Sequence, residues 1–293
     1  MKKGLVVENV SNLYHVNIEG QIYKCNARGK LKQDMSPVVG DIVEIEVIDE
    51  VAKTGVITTI QGRKNYIKRP KVSNISQMLF VLSCNMPKPD LLLLDKQLAF
   101  AEFMNIKPIV IINKIDLGQE AELKEIEKIY TNIGYEVITT VAKESLGVQK
   151  LKEKLVNNIS VFAGNSGVGK STLINALFEE TLTDEGEISN KNKKGKNTTT
   201  QAKLYELEKD SYIIDAPGFS TFDIYEIESN ELQNYFVEFK DYIPECRYIG
   251  CNHIKEDECG IKTALEENKI SNSRYQNYIK IFEDIKEKEE HRW

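Results

Sequence analysis

The segment from Val161 to Asn175, VFAGNSGVGKSTLIN, has the residue types and spacing of a phosphate-binding loop. Gly164, Gly169, Lys170 and Ser171 fit the pattern G-x-x-x-x-G-K-S without a mismatch, between an apolar run and a helix-forming stretch. Glycines let the backbone turn its N–H groups toward phosphate oxygens at the positive end of the following helix. This pattern predicts a nucleoside triphosphate site. A Gly-rich turn followed by a chance Lys-Ser pair is the weaker alternative.

The loop also predicts individual roles in binding and hydrolysis. Lys170 is expected to reach the β- and γ-phosphates, and the Ser171 hydroxyl is expected to ligate magnesium. Asp215, at the end of the apolar run SYIID, is the expected acidic magnesium ligand, and Gly218 can offer its backbone N–H to the γ-phosphate. The residues expected to contact the nucleotide phosphates are Gly164, Asn165, Ser166, Gly167, Val168, Gly169, Lys170, Ser171 and Thr172.

The stretch PIVIINKIDL carries the residues that would choose the base, namely Asn113, Lys114 and Asp116. A carboxylate can accept two parallel hydrogen bonds from N1–H and the 2-amino group of guanine, whereas adenine would leave that carboxylate unpaired. Ala142 and Lys143, after the strand-like YEVITT, are a second expected base contact. A polar exit from a strand is the alternative for this motif taken alone. With the phosphate loop present, we predict GTP and GDP as ligands.

The order of the motifs is unusual, because Asn-Lys-x-Asp precedes the phosphate loop instead of following it. Strand order in space need not follow strand order in sequence, so a circularly permuted chain can build the same pocket. In this order the Asp-x-x-Gly motif at Asp215 continues directly into the C-terminal segment. Loss of the γ-phosphate could then move that segment without an intermediary.

Hydrophobic periodicity divides the chain into three predicted domains. Short strand-like segments separated by glycines over residues 1–66 predict a small OB-fold barrel that binds RNA, with a packing module as the alternative. Alternating strands and helices over 67–222 predict a P-loop α/β domain with a parallel sheet. Residues 223–293 are predicted to be helical around a cysteine cluster.

That cluster, Cys246-x4-Cys251-x-His253-x5-Cys259, offers three thiolates and an imidazole in a polar segment. Four such ligands with no open position suit one tetrahedral, structural zinc ion. Ordinary buried cysteines are the alternative, and it is the reading we prefer for Cys25 and Cys84, which fall in strand-like segments.

The net charge of −6 argues against uniform binding of a polyanion, but the average conceals two basic segments. Residues 51–89 and 188–205 contain lysines or arginines and no Asp or Glu. Solvated faces would account for either segment alone, whereas a local contact with phosphates accounts for both. Apolar runs are too short for a signal peptide or a membrane span, so a cytoplasmic protein with no membrane partner is expected.

The motif order, the segment GKNTTT and the segment CRYIGCNH together make the chain similar to the small ribosomal subunit-dependent GTPase A family over essentially its whole length. The resemblance implies a circularly permuted GTPase domain with an OB-fold before it and a zinc module after it. It further implies a late maturation factor of the small ribosomal subunit that binds the subunit and its rRNA. GTP hydrolysis would be stimulated by the subunit. We expect a monomer.

The resemblance also assigns the switch threonines Thr198, Thr199 and Thr200, of which Thr199 is expected to ligate magnesium. The family's switch commonly has Arg and His where this chain has Lys196 and Asn197, so a histidine that positions water would be replaced by a hydrogen-bonding amide. The expected catalytic set is Lys170, Asn197, Thr199, Asp215 and Gly218.

Phe219 follows the Asp-x-x-Gly motif where Ras-like enzymes place a glutamine that orients water, which predicts slow intrinsic hydrolysis. Two other functions are weighed against a GTPase switch. One is a metabolic phosphotransferase, which the Asn-Lys-x-Asp motif disfavours. The other is an RNA-binding scaffold in which nucleotide is mainly structural.

Overall fold

Apolar and polar residues alternate along the N-terminal segment, which forms five strands that close into a barrel. In the computed structural model, which describes residues 1–29, 31, 35–185, 202–215 and 226–291, the barrel strands are β1 (Lys2–Val10), β2 (Leu13–Ile18), β3 (Gln21–Ala27), β4 (Ile42–Asp49) and β5 (Thr54–Ile60). They pair in the order β1-β2-β3-β5-β4, and β4 returns to β1 through the pair Lys2 and Ile45. Val6, Tyr14, Tyr23 and Ile57 fill the interior. The predicted OB-fold barrel is confirmed.

A short hairpin follows the barrel and is fixed to it by a buried carboxylate. The hairpin strands are β6 (Tyr66–Lys68) and β7 (Lys71–Ser73). Asp41, which has no exposed surface, accepts hydrogen bonds from Arg63 Nε at 2.8 Å and from Ser73 Oγ at 2.6 Å. A buried charge is tolerated when it is paired and hydrogen-bonded in this way.

The described residues form two compact units, each assembled from distant parts of the chain. The first unit takes its described residues from 1–79, 140–163 and 169–220, and the second takes its own from 80–139, 164–168 and 221–293. The three domain ranges 1–66, 67–222 and 223–293 stay a prediction.

The first unit continues from the barrel into three further strands. These strands are β11 (Ile159–Ala163), β12 (Lys203–Glu208) and β13 (Ser211–Asp215), and the helices of this unit are α3 (Val148–Leu155) and α4 (Lys170–Glu185). β11 runs parallel to β13, and β12 pairs antiparallel with β13. β12 also pairs with β1 through Lys203 and Glu8, and these two side chains form a salt bridge of 2.8 Å. The barrel strands and these three strands are therefore parts of one continuous sheet.

The second unit holds the strands of the base-selecting motif and the C-terminal helices. Its strands are the end of β8 (Gln77–Ser83), β9 (Lys107–Asn113) and β10 (Glu136–Thr140), in the spatial order β10-β9-β8. Its helices are α1 (Leu91–Phe103), α2 (Glu120–Asn132), α5 (Gly260–Glu266) and α6 (Asn272–Glu290). All seven residues of β8 are buried, as expected for a strand covered on both faces.

A buried ion network joins α6 to α1 within the second unit. Arg274, only 1% exposed, donates to Asp95 Oδ1 at 2.6 Å and to Glu238 Oε1 at 2.5 Å. Asp95 also accepts hydrogen bonds from Tyr130 and Asn277. The arginine is therefore a packing residue of α6. In the described part of the chain, the helices all lack the length or the apolar character that crossing a bilayer requires.

Candidate functional site

The phosphate loop adopts a conformation that only its glycines allow. Gly164, Gly167 and Gly169 have φ angles of +132°, +80° and +101°. A Cβ atom on Gly164 would lie 2.1 Å from the carbonyl oxygen of Val81, so the backbone approaches β8 more closely than any side chain permits. The sequence pattern requires glycine at the first and third of these positions for this physical reason.

The helix that should face the phosphates begins directly after the loop. α4 begins at Lys170, and its first turn is closed by the hydrogen bond from Leu173 N to Gly169 O at 2.9 Å. Ser171 and Thr172 are exposed at this end of the helix, and Lys170 is half-buried. The first-turn N–H groups and the two hydroxyls are thus available to an anion and its counter-ion.

The base-selecting motif contacts the phosphate loop although the two are far apart in sequence. Asn113, 1% exposed at the end of β9, donates from Nδ2 to the carbonyl oxygen of Val168 at 2.9 Å. Lys114 donates from Nζ to the carbonyl oxygens of Gly167 at 2.6 Å and Met86 at 2.5 Å. The Asn and Lys of the motif therefore contact the phosphate loop although they precede it in the sequence. A permuted chain must form these contacts if it is to build the same pocket.

The residues expected to contact the base lie on short turns. Asp116 is exposed in the 3-10 turn Ile115–Leu117, which follows β9 directly. Ala142 is buried and Lys143 exposed in the 3-10 turn Ala142–Glu144, which follows β10 in the chain. Both turns leave polar groups accessible to a ligand. Their contacts with a base stay predictions.

One contact of the phosphate loop was not predicted from the sequence. Asn165 donates from Nδ2 to Asp90 Oδ2 at 3.0 Å, and Asp90 Oδ1 accepts the backbone N–H of Leu93 at 3.0 Å. Asp90 is thus the N-cap of α1 and also a neighbour of the loop. An Asp ahead of an apolar helical run signals the cap, but nothing in the sequence indicates the partner at Asn165.

The predicted magnesium ligands are only partly within the described residues. Asp215 ends β13, which runs beside β11, the strand that leads into the phosphate loop. Ser171 lies in the first turn of α4. Outside the described residues lie the switch positions and part of the Asp-x-x-Gly motif, namely Lys196, Asn197, Thr198, Thr199, Thr200, Gly218 and Phe219.

The cysteine cluster has the geometry of a closed four-ligand site. The ligand atoms of Cys246, Cys251, His253 and Cys259 all lie within 4.8 Å of one another. His253 Nδ1 is 3.3 Å from Cys259 Sγ and 3.5 Å from Cys246 Sγ, and the two sulfurs are 4.0 Å apart. A tetrahedron with Zn–S bonds of about 2.3 Å has edges of about 3.7 Å, so these separations fit zinc.

The surroundings of the cluster favour a bound cation as well. Burial lowers the pKa of His253 to about 4, so its imidazole is neutral and can act as a ligand. Burial raises the pKa of Cys251, and a metal ion is what stabilises a buried thiolate. The outer nitrogen of His253, Nε2, lies 2.7 Å from Gln233 Oε1, which orients the ring as outer partners of metal-binding histidines do. No sequence pattern indicates Gln233 as this outer partner.

The chain matches two family models. One, described as RsgA GTPase, matches residues 60–225, and the other, described as RsgA N-terminal domain, matches residues 3–57. A protein of Alkaliphilus metalliredigens named "Small ribosomal subunit biogenesis GTPase RsgA" is 40% identical over 287 residues, which is 98% of each chain. A protein of Clostridium acetobutylicum with the same name is 43% identical, over 94% of this chain and 95% of its own length.

Solved structures agree with these matches. The crystal structure of YjeQ from Thermotoga maritima is similar with a TM-score of 0.85 and 38% identity, and the alignment covers 97% of this chain and 98% of that one. The structure of YloQ, described as a circularly permuted GTPase, is similar with a TM-score of 0.82 and 28% identity. That alignment covers 98% of this chain and 96% of the YloQ chain. The permuted order predicted from the motifs is thus confirmed at the level of the fold.

Proposed function

The chain belongs to the RsgA GTPase family, and we propose that this GTPase acts late in maturation of the small ribosomal subunit. It binds the subunit and its rRNA in the GTP state, hydrolyses GTP when the subunit stimulates it, and is then released. The observation that best supports the nucleotide site is a pair of hydrogen bonds, from Asn113 to the carbonyl oxygen of Val168 and from Lys114 to that of Gly167. Two motifs in reversed order are thereby brought into contact.

The proposed base contacts explain the choice of guanine. Asp116 accepts from N1–H and the 2-amino group, and Ala142 with Lys143 contacts the base from the second turn. Adenine offers a hydrogen-bond acceptor at N1 and has no 2-amino group, so it would leave the Asp116 carboxylate desolvated and unpaired. Guanine is therefore preferred by the chemistry of one side chain.

The proposed phosphate contacts use the backbone of the loop. N–H groups from Asn165 to Gly169 face the phosphate oxygens, and Lys170 balances the charge of the β- and γ-phosphates. Ser171, Thr199 and Asp215 would hold magnesium, which shields the developing charge during hydrolysis. Oxygen donors of this kind suit that cation.

The proposed hydrolysis step depends on residues near the γ-phosphate. The Gly218 N–H donates a hydrogen bond to this phosphate. Asn197 hydrogen-bonds the attacking water without accepting its proton. Phe219 cannot orient the water through its side chain, so the chain alone hydrolyses GTP slowly. An ordered switch on the subunit supplies the missing alignment.

The proposed partner surfaces are the barrel with its basic segment and the metal module. The basic segment at residues 51–89 and the second one at 188–205 neutralise rRNA phosphates. Cys246, Cys251, His253 and Cys259 hold one structural zinc ion that keeps the C-terminal segment folded. The protein acts as a monomer in the cytoplasm, where the relatives' named role in small-subunit biogenesis would place it.

The test is steady-state GTP turnover with and without small ribosomal subunits, with ATP as the control nucleotide. We expect the subunit to raise GTP turnover, and Lys170→Ala to lower the stimulated rate at least about 100-fold. Lys150→Ala is the matched control, because it removes the same charge from an exposed position of α3.

Two results would contradict the proposal. One is equal turnover of ATP and GTP. The other is subunit binding that is the same with GTP, with GDP and without nucleotide, which would favour the alternative of an RNA-binding scaffold with structural nucleotide.

A further inference from the structure

A three-residue segment directly after β8 forms hydrogen bonds with the turn that carries Asp116 and with the residues before it. We name Cys84–Met86 the bracing segment. Its Cys84 N–H donates to the carbonyl oxygen of Asn113 at 2.9 Å, and its Met86 carbonyl accepts the Lys114 ammonium at 2.5 Å. Between them, Asn85 Nδ2 donates to the carbonyl oxygen of Leu117 at 2.7 Å. Three consecutive residues thus hold both sides of the turn.

The turn needs this support because its own hydrogen bonds are few. Leu117 N donates to Lys114 O at 3.0 Å, and Gly118 N reaches Ile115 O at only 3.4 Å. A single 3-10 turn is a weak structure when it stands alone. The contact from Asn85 falls on the residue directly after Asp116, so it limits rotation of the backbone that carries the carboxylate.

A close contact fixes the far end of the turn against the same segment. A Cβ atom on Gly118 would lie 2.0 Å from Cys84 Sγ and 3.0 Å from Cys84 Cβ. Gly118 has φ −99° and ψ 168°, a conformation open to any residue. Glycine is therefore required by the space that the buried Cys84 thiol occupies, and not by the backbone angles.

We propose that Asn85 and Cys84 are positioning residues that set how strongly the site discriminates guanine. The inference rests on the proposed role of Asp116 and deepens it. Hydrogen bonds from guanine N1–H and the 2-amino group to one carboxylate demand a fixed direction for both oxygens, because such bonds weaken steeply when misaligned. A turn held by Asn85 and by the Cys84–Gly118 contact supplies that direction. Both side chains are assigned an effect through the turn and no contact with the nucleotide.

A purely stabilising role and a positioning role differ in what they do to closely related nucleotides. Inosine keeps N1–H and lacks the 2-amino group, so the affinity ratio of GDP to IDP reports the second hydrogen bond to Asp116 alone. A charge-assisted bond of this kind predicts a wild-type ratio of about 10-fold or more. General loosening of the protein would weaken GDP and IDP by the same factor.

The experiment is calorimetric titration of the full chain with GDP, IDP and ADP in the presence of magnesium. We expect Asn85→Ala to weaken IDP as well, because IDP keeps one hydrogen bond to Asp116, but to weaken GDP more, so that the GDP:IDP ratio falls roughly 3- to 10-fold. Gly118→Ala should lower the ratio as well, because the methyl group displaces the turn from Cys84. Cys84→Gly in that background removes the clash and should return the ratio to within about 3-fold of the wild type.

Equal losses for GDP and IDP in Asn85→Ala, or an unchanged ratio, would overturn the positioning role while guanine recognition stands. Failure of Cys84→Gly to recover the Gly118→Ala loss would overturn the part assigned to Cys84. A wild-type protein that binds GDP, IDP and ADP alike would instead refute the proposed role of Asp116, and the inference with it. The wild-type titration therefore distinguishes failure of the proposed Asp116 role from failure of the positioning inference, which only the variants test.

Discussion

Replacement of Arg274 by methionine tests the buried network that joins α6 to α1. Methionine keeps most of the side-chain volume and helix propensity, so the variant removes chiefly the charge and its hydrogen bonds. Asp95 and Glu238 then remain as carboxylates that are 0% and 5% exposed in their side chains, without their cation. Removal of one partner from a buried ion pair costs about 3–5 kcal/mol of stability. We expect the loss of unfolding free energy in Arg274→Met to fall in this range.

The loss should depend on pH in a predictable direction. Burial raises the pKa of Asp95 above its ordinary value of 3.8, and the Arg274 charge opposes that rise. A carboxyl with a higher pKa in the folded than in the unfolded protein binds more protons when folded. Its contribution to stability therefore falls as the pH rises from about 4 through the folded pKa. Loss of the Arg274 charge removes the influence that opposes the raised pKa of Asp95, so stability falls over a wider pH range in the variant. The stability that Arg274→Met loses relative to the wild type should therefore be larger near pH 8 than near pH 5.5.

The assay is equilibrium urea unfolding at these two pH values, combined with hydrogen exchange of the α6 amides to localise the loss. Lys96→Met is the matched control, because Lys96 also links α1 to α6, through Asp284 at 2.5 Å, but in a partly exposed pair. That variant should lose less than about 1 kcal/mol. The reasoning is refuted if Arg274→Met is within about 1 kcal/mol of the wild type, or if its deficit is the same at both pH values.

Two further substitutions test the phosphate loop and the metal module. Gly164→Ala should weaken GDP binding about 10- to 100-fold in calorimetry, because its Cβ meets Val81 O and its φ is positive. Gly62→Ala is the control, because its Cβ meets nothing within 4 Å, and it should bind GDP as the wild type does. Equal GDP affinities of the Gly164→Ala and Gly62→Ala variants would contradict the loop geometry. Cys259→Ser should abolish the zinc content measured by elemental analysis and expose the C-terminal segment to protease, with GDP binding kept. Cys25→Ala should retain one zinc per chain, and retention by Cys259→Ser as well would contradict the ligand set.

Local patterns were sufficient to predict the barrel and the phosphate loop. Both depend on neighbours in the chain, since alternation sets the strands of the barrel and glycine spacing sets the loop. The cysteine cluster is equally local, because its four residues lie between 246 and 259. The permuted order could be inferred as well, because the phosphate loop is specific by itself and the other motifs supply the functions that a bound nucleotide requires nearby.

Contacts between distant side chains could not be predicted. Arg274 lies 179 residues from Asp95 and 36 from Glu238, and a helical pattern of aromatic residues around Arg274 does not show where its charge is paired. The structure buries this arginine, so its charge is satisfied inside the protein. Asn85 likewise sits in a polar stretch whose partner, Leu117 O, is a backbone atom without a sequence signature.

The central claim, that Asp116 reads guanine in a pocket built from reversed motifs, is tested most directly by exchanging that carboxylate for an amide. Xanthine carries a 2-oxo group where guanine has an amino group, so an Asn amide can donate to xanthine but not to guanine. Calorimetry should show that the wild-type protein prefers GDP over XDP and ADP, and that Asp116→Asn prefers XDP. Unchanged GDP affinity in Asp116→Asn, or ADP bound as tightly as GDP by the wild type, would contradict the account.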